Sequence, residues 1–228
     1  MNEECVIFFV KHPVMEKVKS RLAAVIGEDP AVEAYIRFVL DILGTLGNCG
    51  VAVRIYYSPH NAGDPVKAWL GQGYGYFRQN GRDLGERMSN AFIETFKDGF
   101  KKAVLLGSDA PDLPSSNIGR AFRSLEKSGA VLGPAADGGY YLIGFRRDRF
   151  LPSVFSGINW STRSVFDETK KKLAWHNAEA KVLPEWTDVD TIEDLSALMK
   201  RNRTGWFSGS RTMKYLLEIE NRIIQPEV

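Results

Sequence analysis

The 228-residue sequence predicts a three-layer αβα sandwich built on a mostly parallel, mixed central sheet. Three observations lead there. Short apolar runs recur along the chain, amphipathic stretches of helical period separate them, and polar segments with chemical potential follow the runs directly. Strands alternating with helices of this length join by right-handed crossovers, and such sheets gather ligands beyond the carboxyl ends of their strands.

The runs VIFFV (6–10), VAVRIYY (51–57), AVLLG (103–107), AVLGP (130–134) and YYLIGF (140–145) are short and rich in β-branched and aromatic residues, as buried strands are. Between the first two, Val32, Tyr35, Ile36, Val39, Leu40 and Leu43 stand at helical spacing, predicting a helix over 31–46. Leu84, Met88, Ala91, Phe92 and Phe96 predict another over 84–100. In EWTDVDTIEDL, Thr191 and Asp194 form a capping-box pattern with Asp in place of the usual Glu, so a helix starts there. NWSTRSVF is a further helix start, with Ser161 or Thr162 as its cap. Beyond a Gly/Ser-rich loop, residues 212–224 read as a final helix with Met213, Leu216, Leu217 and Ile224 roughly on one side. One domain is expected over 1–202, with the tail 203–228 packing on it or on a partner subunit, in a possible homodimer.

Composition excludes several classes. At 44% hydrophobic and 25% charged residues the chain is average for a globular protein, and no stretch nears the ~20 apolar residues of a membrane span. Thirty basic against 28 acidic residues leave a net charge of +2, too balanced for nucleic-acid or membrane binding. MNEECVIFFVKHP lacks the basic start and long apolar core of a signal peptide, so a cytoplasmic location is expected. Cys5 and Cys49 stand in apolar settings without metal or redox spacing, and His12, His60 and His176 have no partner spacing either.

Four segments carry candidate chemistry. In VLLGSDAPDLP, Asp109 follows a strand end at once, which suits a ligand for a hard cation and equally the start of a turn or helix. Asp188 and Asp190 are left without a structural task once the capping box is subtracted, and two repelling carboxylates in one loop suit a divalent cation. Asp137-Gly138-Gly139 is a hairpin signal between apolar runs, although glycines also let a ligand approach the backbone, and Tyr140-Tyr141 follow. KHPVMEKVKSRL sets Lys11, Lys17, Lys19 and Arg21 after the first strand, where phosphates meet helix N-termini, but without a Walker A or GxGxxG pattern. Arg82, in QNGRDLGERM, and Trp160, as core plug or pocket wall, complete the set.

Taken in order, VKSRL, GRDLGERM, LLGSDAPDLP, LGPAADGGYYLIG, INWST and DVDTIEDL closely resemble the bacterial radical-SAM/selenodomain-associated transferases, within the GT-A-type nucleotide-diphospho-sugar transferase superfamily. The resemblance runs from Val6 to about Met199 and leaves only the tail outside. It implies a Rossmann-like GT-A fold that binds a nucleotide or nucleotide-sugar donor with Mg²⁺ or Mn²⁺, and a small-molecule acceptor. It implies Asp109 and Asp190 as metal ligands, with Asp188 next in line, and Asp137 facing the second substrate. Lys11, Lys19, Arg21, Arg82, Gly138, Gly139, Tyr140, Trp160 and Thr162 are then the substrate-binding set, and Asp109 and Asp137 the catalytic one. KSRL and DVDT also look like the guanylyltransferases that activate phospholactate. The first loop departs from the pattern, with Glu16 near the usual glycine, Ser20 for threonine, and His12 and Met15 nearby.

The implied activity is glycosyl transfer from a nucleotide sugar or nucleotidyl transfer from a nucleoside triphosphate. A sugar-nucleotide-binding module without turnover is the alternative. DVDT at 188–191 mimics the DxDxT nucleophile of haloacid-dehalogenase-like phosphatases, but it stands too near the C-terminus for the rest of that machinery, and no GxSxG elbow supports acyl transfer.

Overall fold

The computed structural model describes residues 3–14 and 17–224. Met15 and Glu16 of the departing first loop lie outside them. In chain order the elements are β1 (Glu4–Lys11), α1 (Ser20–Ile26), α2 (Glu28–Gly47), β2 (Ala52–Ser58), α3 (Gly63–Leu70), β3 (Gly75–Arg78), α4 (Leu84–Lys97) and β4 (Lys102–Leu106). There follow α5 (Ser115–Lys127), β5 (Ala130–Pro134), β6 (Tyr140–Arg146), α6 (Val165–Trp175), β7 (Ala180–Val182), α7 (Ile192–Arg201), α8 (Arg211–Glu218) and α9 (Glu220–Ile224).

The seven strands form one sheet in the order β3-β2-β1-β4-β6-β5-β7. All pairs are parallel except those of β6, which runs antiparallel to both β4 and β5. Chain length dictates that exception: residues 135–139 suffice for a hairpin, whereas a parallel return requires a crossover of a dozen residues or more. The hairpin reading of Asp137-Gly138 is therefore correct as architecture.

Two layers flank the sheet because successive strand residues face opposite sides. From β1, Val6, Phe8 and Val10 enter a cluster with Tyr35, Val39 and Leu46 of α2, Val66 of α3 and Ile118 and Phe122 of α5. Ile7 and Phe9 enter the opposite cluster, with Met88, Phe92 and Phe96 of α4 and Leu173 of α6. A third cluster joins Leu22 and Ile26 of α1, Phe38 of α2 and Leu195 and Leu198 of α7 to Phe207, Met213, Leu216 and Ile223 of the tail.

Several elements depart from expectation. The single helix expected over 212–224 is broken at Ile219 into α8 and α9, and Leu217, expected on the packed side, is exposed; the side chain of Ile224 lies outside the described residues. The cap of α6 is Ser164, because Ser161 adopts a positive φ of 67° and Thr162 Oγ1 donates to Asn159 O at 2.7 Å. Helices α3 and α5 and strand β7 add to the elements expected, although Ile118, Ala121, Phe122 and Leu125 of α5 stand at helical spacing.

Candidate functional site: an acidic cluster closed by a lysine

Beyond the carboxyl ends of β1 and β4 lies a cavity of about 670 Å³, and Lys11, Lys19, Arg21, Asp109, Asp188 and Asp190 all line it. Backbone bonds draw the acidic loops together. Val189 N donates to Asp109 O at 2.8 Å, which ties the loop after β4 to the loop before α7. Behind it, the buried Asp112 of the same DAPDLP segment accepts from Trp186 Nε1 (3.1 Å), Arg201 Nε (2.7 Å) and Asn202 Nδ2 (2.7 Å), so one carboxylate locks both loops to α7. The predicted capping box forms, with Asp194 Oδ2 accepting from Thr191 N at 2.9 Å and also from Asp190 N at 3.1 Å. The box thus fixes the backbone that presents Asp190.

The ammonium of Lys19 closes this cluster. It donates to Asp109 Oδ1 through a short bond, to Val189 O at 2.6 Å and to Asp190 Oδ1 at 2.8 Å. Its side chain is 2% exposed, while those of Asp109 and Asp190 are about half open at 43% and 46%. Burial alone lowers a lysine pKa, but the charges of Asp109 and Asp190 and their hydrogen bonds outweigh it and raise Lys19. The backbone of Lys19 is left-handed, φ 49° and ψ 42°, a conformation costly for a residue with a Cβ. That placement identifies a point where two carboxylates and a carbonyl already hold a positive charge.

Those oxygens fit a hard divalent cation by chemistry, since carboxylate and carbonyl oxygens are what Mg²⁺ and Mn²⁺ accept. Among the described residues no three acidic, His or Cys side chains stand together at metal-ligand spacing. A cation held by the inner oxygens of Asp109 and Asp190 would have to take the place of the Lys19 ammonium.

Of the other predicted residues, Tyr140 lines the cavity, and burial raises its phenol's pKa. Asp137 does not line it; its Oδ1 accepts from Gly139 N at 2.8 Å, stabilising the turn, and its charge reaches Asp188. Five of the predicted substrate-binding residues are not among those that line the cavity. A side chain on Gly138 would collide with the carbonyl of Arg163, so this glycine (φ 92°) makes room for the 161–166 segment rather than for a ligand. A side chain on Gly139 would first meet the Asp137 carboxylate, at 3.1 Å. Arg82 is exposed and clasped by Glu86, away from the cavity. Trp160 lies against Gly85 of α4 as a core plug. Thr162 is exposed, whereas its neighbour Ser161 lines the cavity.

Sequence reasoning missed Gln79, Arg87, Tyr35 and Ser108, all cavity residues. Tyr35 Oη accepts from Lys11 N at 2.9 Å and from Ser108 Oγ at 3.1 Å, linking the first loop to the loop after β4.

Comparison with known proteins adds family context. A family model described as "uncharacterized protein conserved in bacteria" (DUF2064) matches residues 43–162, a span that includes Asp109 and Asp137. A solved structure from Desulfovibrio desulfuricans G20, of a protein proposed to be a nucleotide-diphospho-sugar transferase, is 42% identical, covers 100% of both chains and superposes with a TM-score of 0.96. The inositol-1-phosphate CTP transferase of T. maritima shares the fold at 15% identity, covering 90% of this chain and 97% of its own, TM-score 0.57. Rv0371c of Mycobacterium tuberculosis H37Rv, solved with manganese, does so at 13% identity over 88% and 99%, TM-score 0.54. A mitochondrial protein C2orf69 homolog of Danio rerio is 40% identical over 48 residues, 21% of this chain and 14% of that protein.

Proposed function

The chain belongs to the DUF2064 family of uncharacterized proteins conserved in bacteria, and on that footing we propose that it is a metal-dependent transferase using a nucleotide or nucleotide-sugar donor. One observation carries the reading: Asp109 and Asp190 share the buried Lys19 ammonium, and all three line, with Asp188, a cavity beyond the strand ends. The 42% identical Desulfovibrio protein, proposed to be a nucleotide-diphospho-sugar transferase, supports the donor class, and the manganese-bound Rv0371c, alike in fold only, is consistent with the cation.

Asp109 and Asp190 would hold Mg²⁺ or Mn²⁺, with Asp188 the next ligand in line. The ion's chemistry there is to neutralise diphosphate oxygens and the charge that builds on the leaving group. Lys19, Lys11 and Arg21, which line the same cavity, would set fixed positive charge beside those oxygens. Asp137, on the β5–β6 turn outside the cavity lining but close enough for its charge to reach Asp188, would orient the acceptor's hydroxyl or phosphate. With a nucleotide sugar, the acceptor oxygen bonds to the anomeric carbon as the carbon–oxygen bond to the diphosphate breaks. With a nucleoside triphosphate, a substrate phosphate oxygen bonds to the α-phosphorus and pyrophosphate departs.

A second reading, a nucleotide-binding module without turnover, draws on the fact that Lys19 already neutralises the acidic pair. Thermal unfolding with a panel of nucleoside triphosphates and nucleotide sugars, each with and without Mn²⁺, separates the outcomes. The expected result is a Mn²⁺-dependent rise in stability for one nucleotide that Asp109→Ala abolishes. Equal rises in Asp109→Ala and the parent would sink the metal assignment. Binding with no product from any acceptor would favour the module.

A further inference from the structure

Strand β4 stops at Leu106, opposite Phe8, whereas β1 runs on to Lys11. Past that end a phenol takes the place of the neighbouring strand. Tyr35 Oη accepts from Lys11 N at 2.9 Å and donates its own proton to Lys11 O at 3.3 Å, so one side chain meets both backbone groups of one residue. Ser108 Oγ, on the residue before Asp109, donates to the same oxygen at 3.1 Å. A hydroxyl has one hydrogen and two lone pairs, and all are used here. Burial pushes the phenol up to about 12, so the proton stays on Oη through the physiological range. The ring is firmly seated: Tyr35 is buried in the core between α2 and the sheet, with its centroid 6.4 Å from that of Trp69. One turn further along α2, the centre of the Phe38 ring lies 5.7 Å from the Lys19 ammonium. Helix α2 therefore touches the first loop at both ends and the loop after β4 at its start.

Lys11, Lys19, Ser108 and Asp109 all line the cavity, so these bonds fasten its basic wall and its acidic wall to a single oxygen atom. We propose that Tyr35 is a positioning residue, whose hydroxyl holds the Lys11 end of the first loop and the Asp109 loop at the separation a diphosphate-bound cation needs. The inference rests on the transferase reading above and adds to it what sets the two walls relative to each other. A ligand that meets carboxylates through its cation and lysines through its phosphate oxygens binds well only where both walls are already in place. A ligand of one wall alone is indifferent to that spacing. The effect of Tyr35 is therefore confined to ligands that span the cavity, which separates positioning from plain support of the fold.

Calorimetry should compare Mn²⁺–pyrophosphate with pyrophosphate free of metal, for the parent, Tyr35→Phe, Ser108→Ala and the double variant. Tyr35→Phe keeps the ring in the core and removes the oxygen. Ser108→Ala keeps the bonds between Tyr35 and Lys11 and cuts only the tie to the Asp109 loop. Each single variant should lose about tenfold in affinity for Mn²⁺–pyrophosphate and stay within about twofold of the parent for pyrophosphate alone. The double variant should lose no more than Tyr35→Phe, because both substitutions remove the same tie. Parental affinity for Mn²⁺–pyrophosphate in Ser108→Ala overturns the assignment, and so does an equal loss for pyrophosphate alone. Should Tyr35→Phe not fold, Ser108→Ala by itself decides between these results. A parent that binds Mn²⁺–pyrophosphate no more tightly than pyrophosphate overturns the cation reading, and this inference with it, before any variant is compared.

Discussion

Burial first, and then the charges of Asp109, Asp137 and Asp190, push the Asp188 carboxyl from its ordinary 3.8 up to about 8, with the Lys19 ammonium opposing. Between those values the folded chain keeps a proton that the unfolded chain has released. Stability from this group is therefore complete below about pH 4 and falls as pH rises towards 8. Asp188→Asn fixes the uncharged form, so its midpoint of thermal unfolding should decline less than the parent's between pH 5 and 8. Parallel curves for the two proteins would contradict the shift. At this scale the sequence is informative where chemistry is local: an acid directly after a strand, or a pair of acids left over from a capping box, signals itself. Gln79 gives no such signal, because its place in the cavity depends on strand ends that the chain brings together from positions 10, 56 and 79.

Elements turn such residues into a site, and the β5–β6 hairpin shows how one motif serves two masters. Asp137-Gly138 is a turn signal in sequence and a turn in space, yet the glycine is required by a neighbour the sequence could not name. Phe166 N donates to Gly138 O at 2.9 Å, and the Arg163 carbonyl occupies the room a side chain would take. Gly138→Ala should cost about 1–3 kcal/mol from its left-handed backbone alone, and more as the 161–166 segment is pushed away. In Gly139→Ala the new methyl would lie 3.1 Å from Asp137 Oδ1, a contact a side chain can relieve. Urea unfolding should rank the two variants in that order, and a Gly139→Ala loss equal to that of Gly138→Ala would refute the packing argument. The strand runs and the long helices were legible because buried faces impose periods of two and 3.6 on composition. Strand β7 was not, since its three residues pair only with β5 and leave Lys181 and Val182 exposed.

For the whole molecule, the tail matters because of what it holds. Asp41 of α2 is buried and accepts from Thr212 N at 2.7 Å and Arg211 N at 3.2 Å, anchoring the start of α8. Phe207, Met213 and Leu216 then complete a core with α1, which begins next to Lys19, and α7, which begins next to Asp190. The tail therefore clamps together the two helices whose N-termini carry opposite charges of the acidic cluster. Phe207→Ala should cost about 3–5 kcal/mol, and Asp41→Ala about 1–2 kcal/mol through loss of the helix acceptor. If the clamp sets the site, both should also shrink the Mn²⁺-dependent stabilisation by nucleotide beyond what lowered stability explains. Phe145→Ala, in the cluster against α4 on the far face of the sheet, provides the comparison at similar cost. Its unfolding midpoint should fall while its ligand-induced rise stays that of the parent, since Phe145 touches neither α1 nor α7. Equal ligand-induced rises in all three variants would show that the tail stabilises the fold without shaping the site.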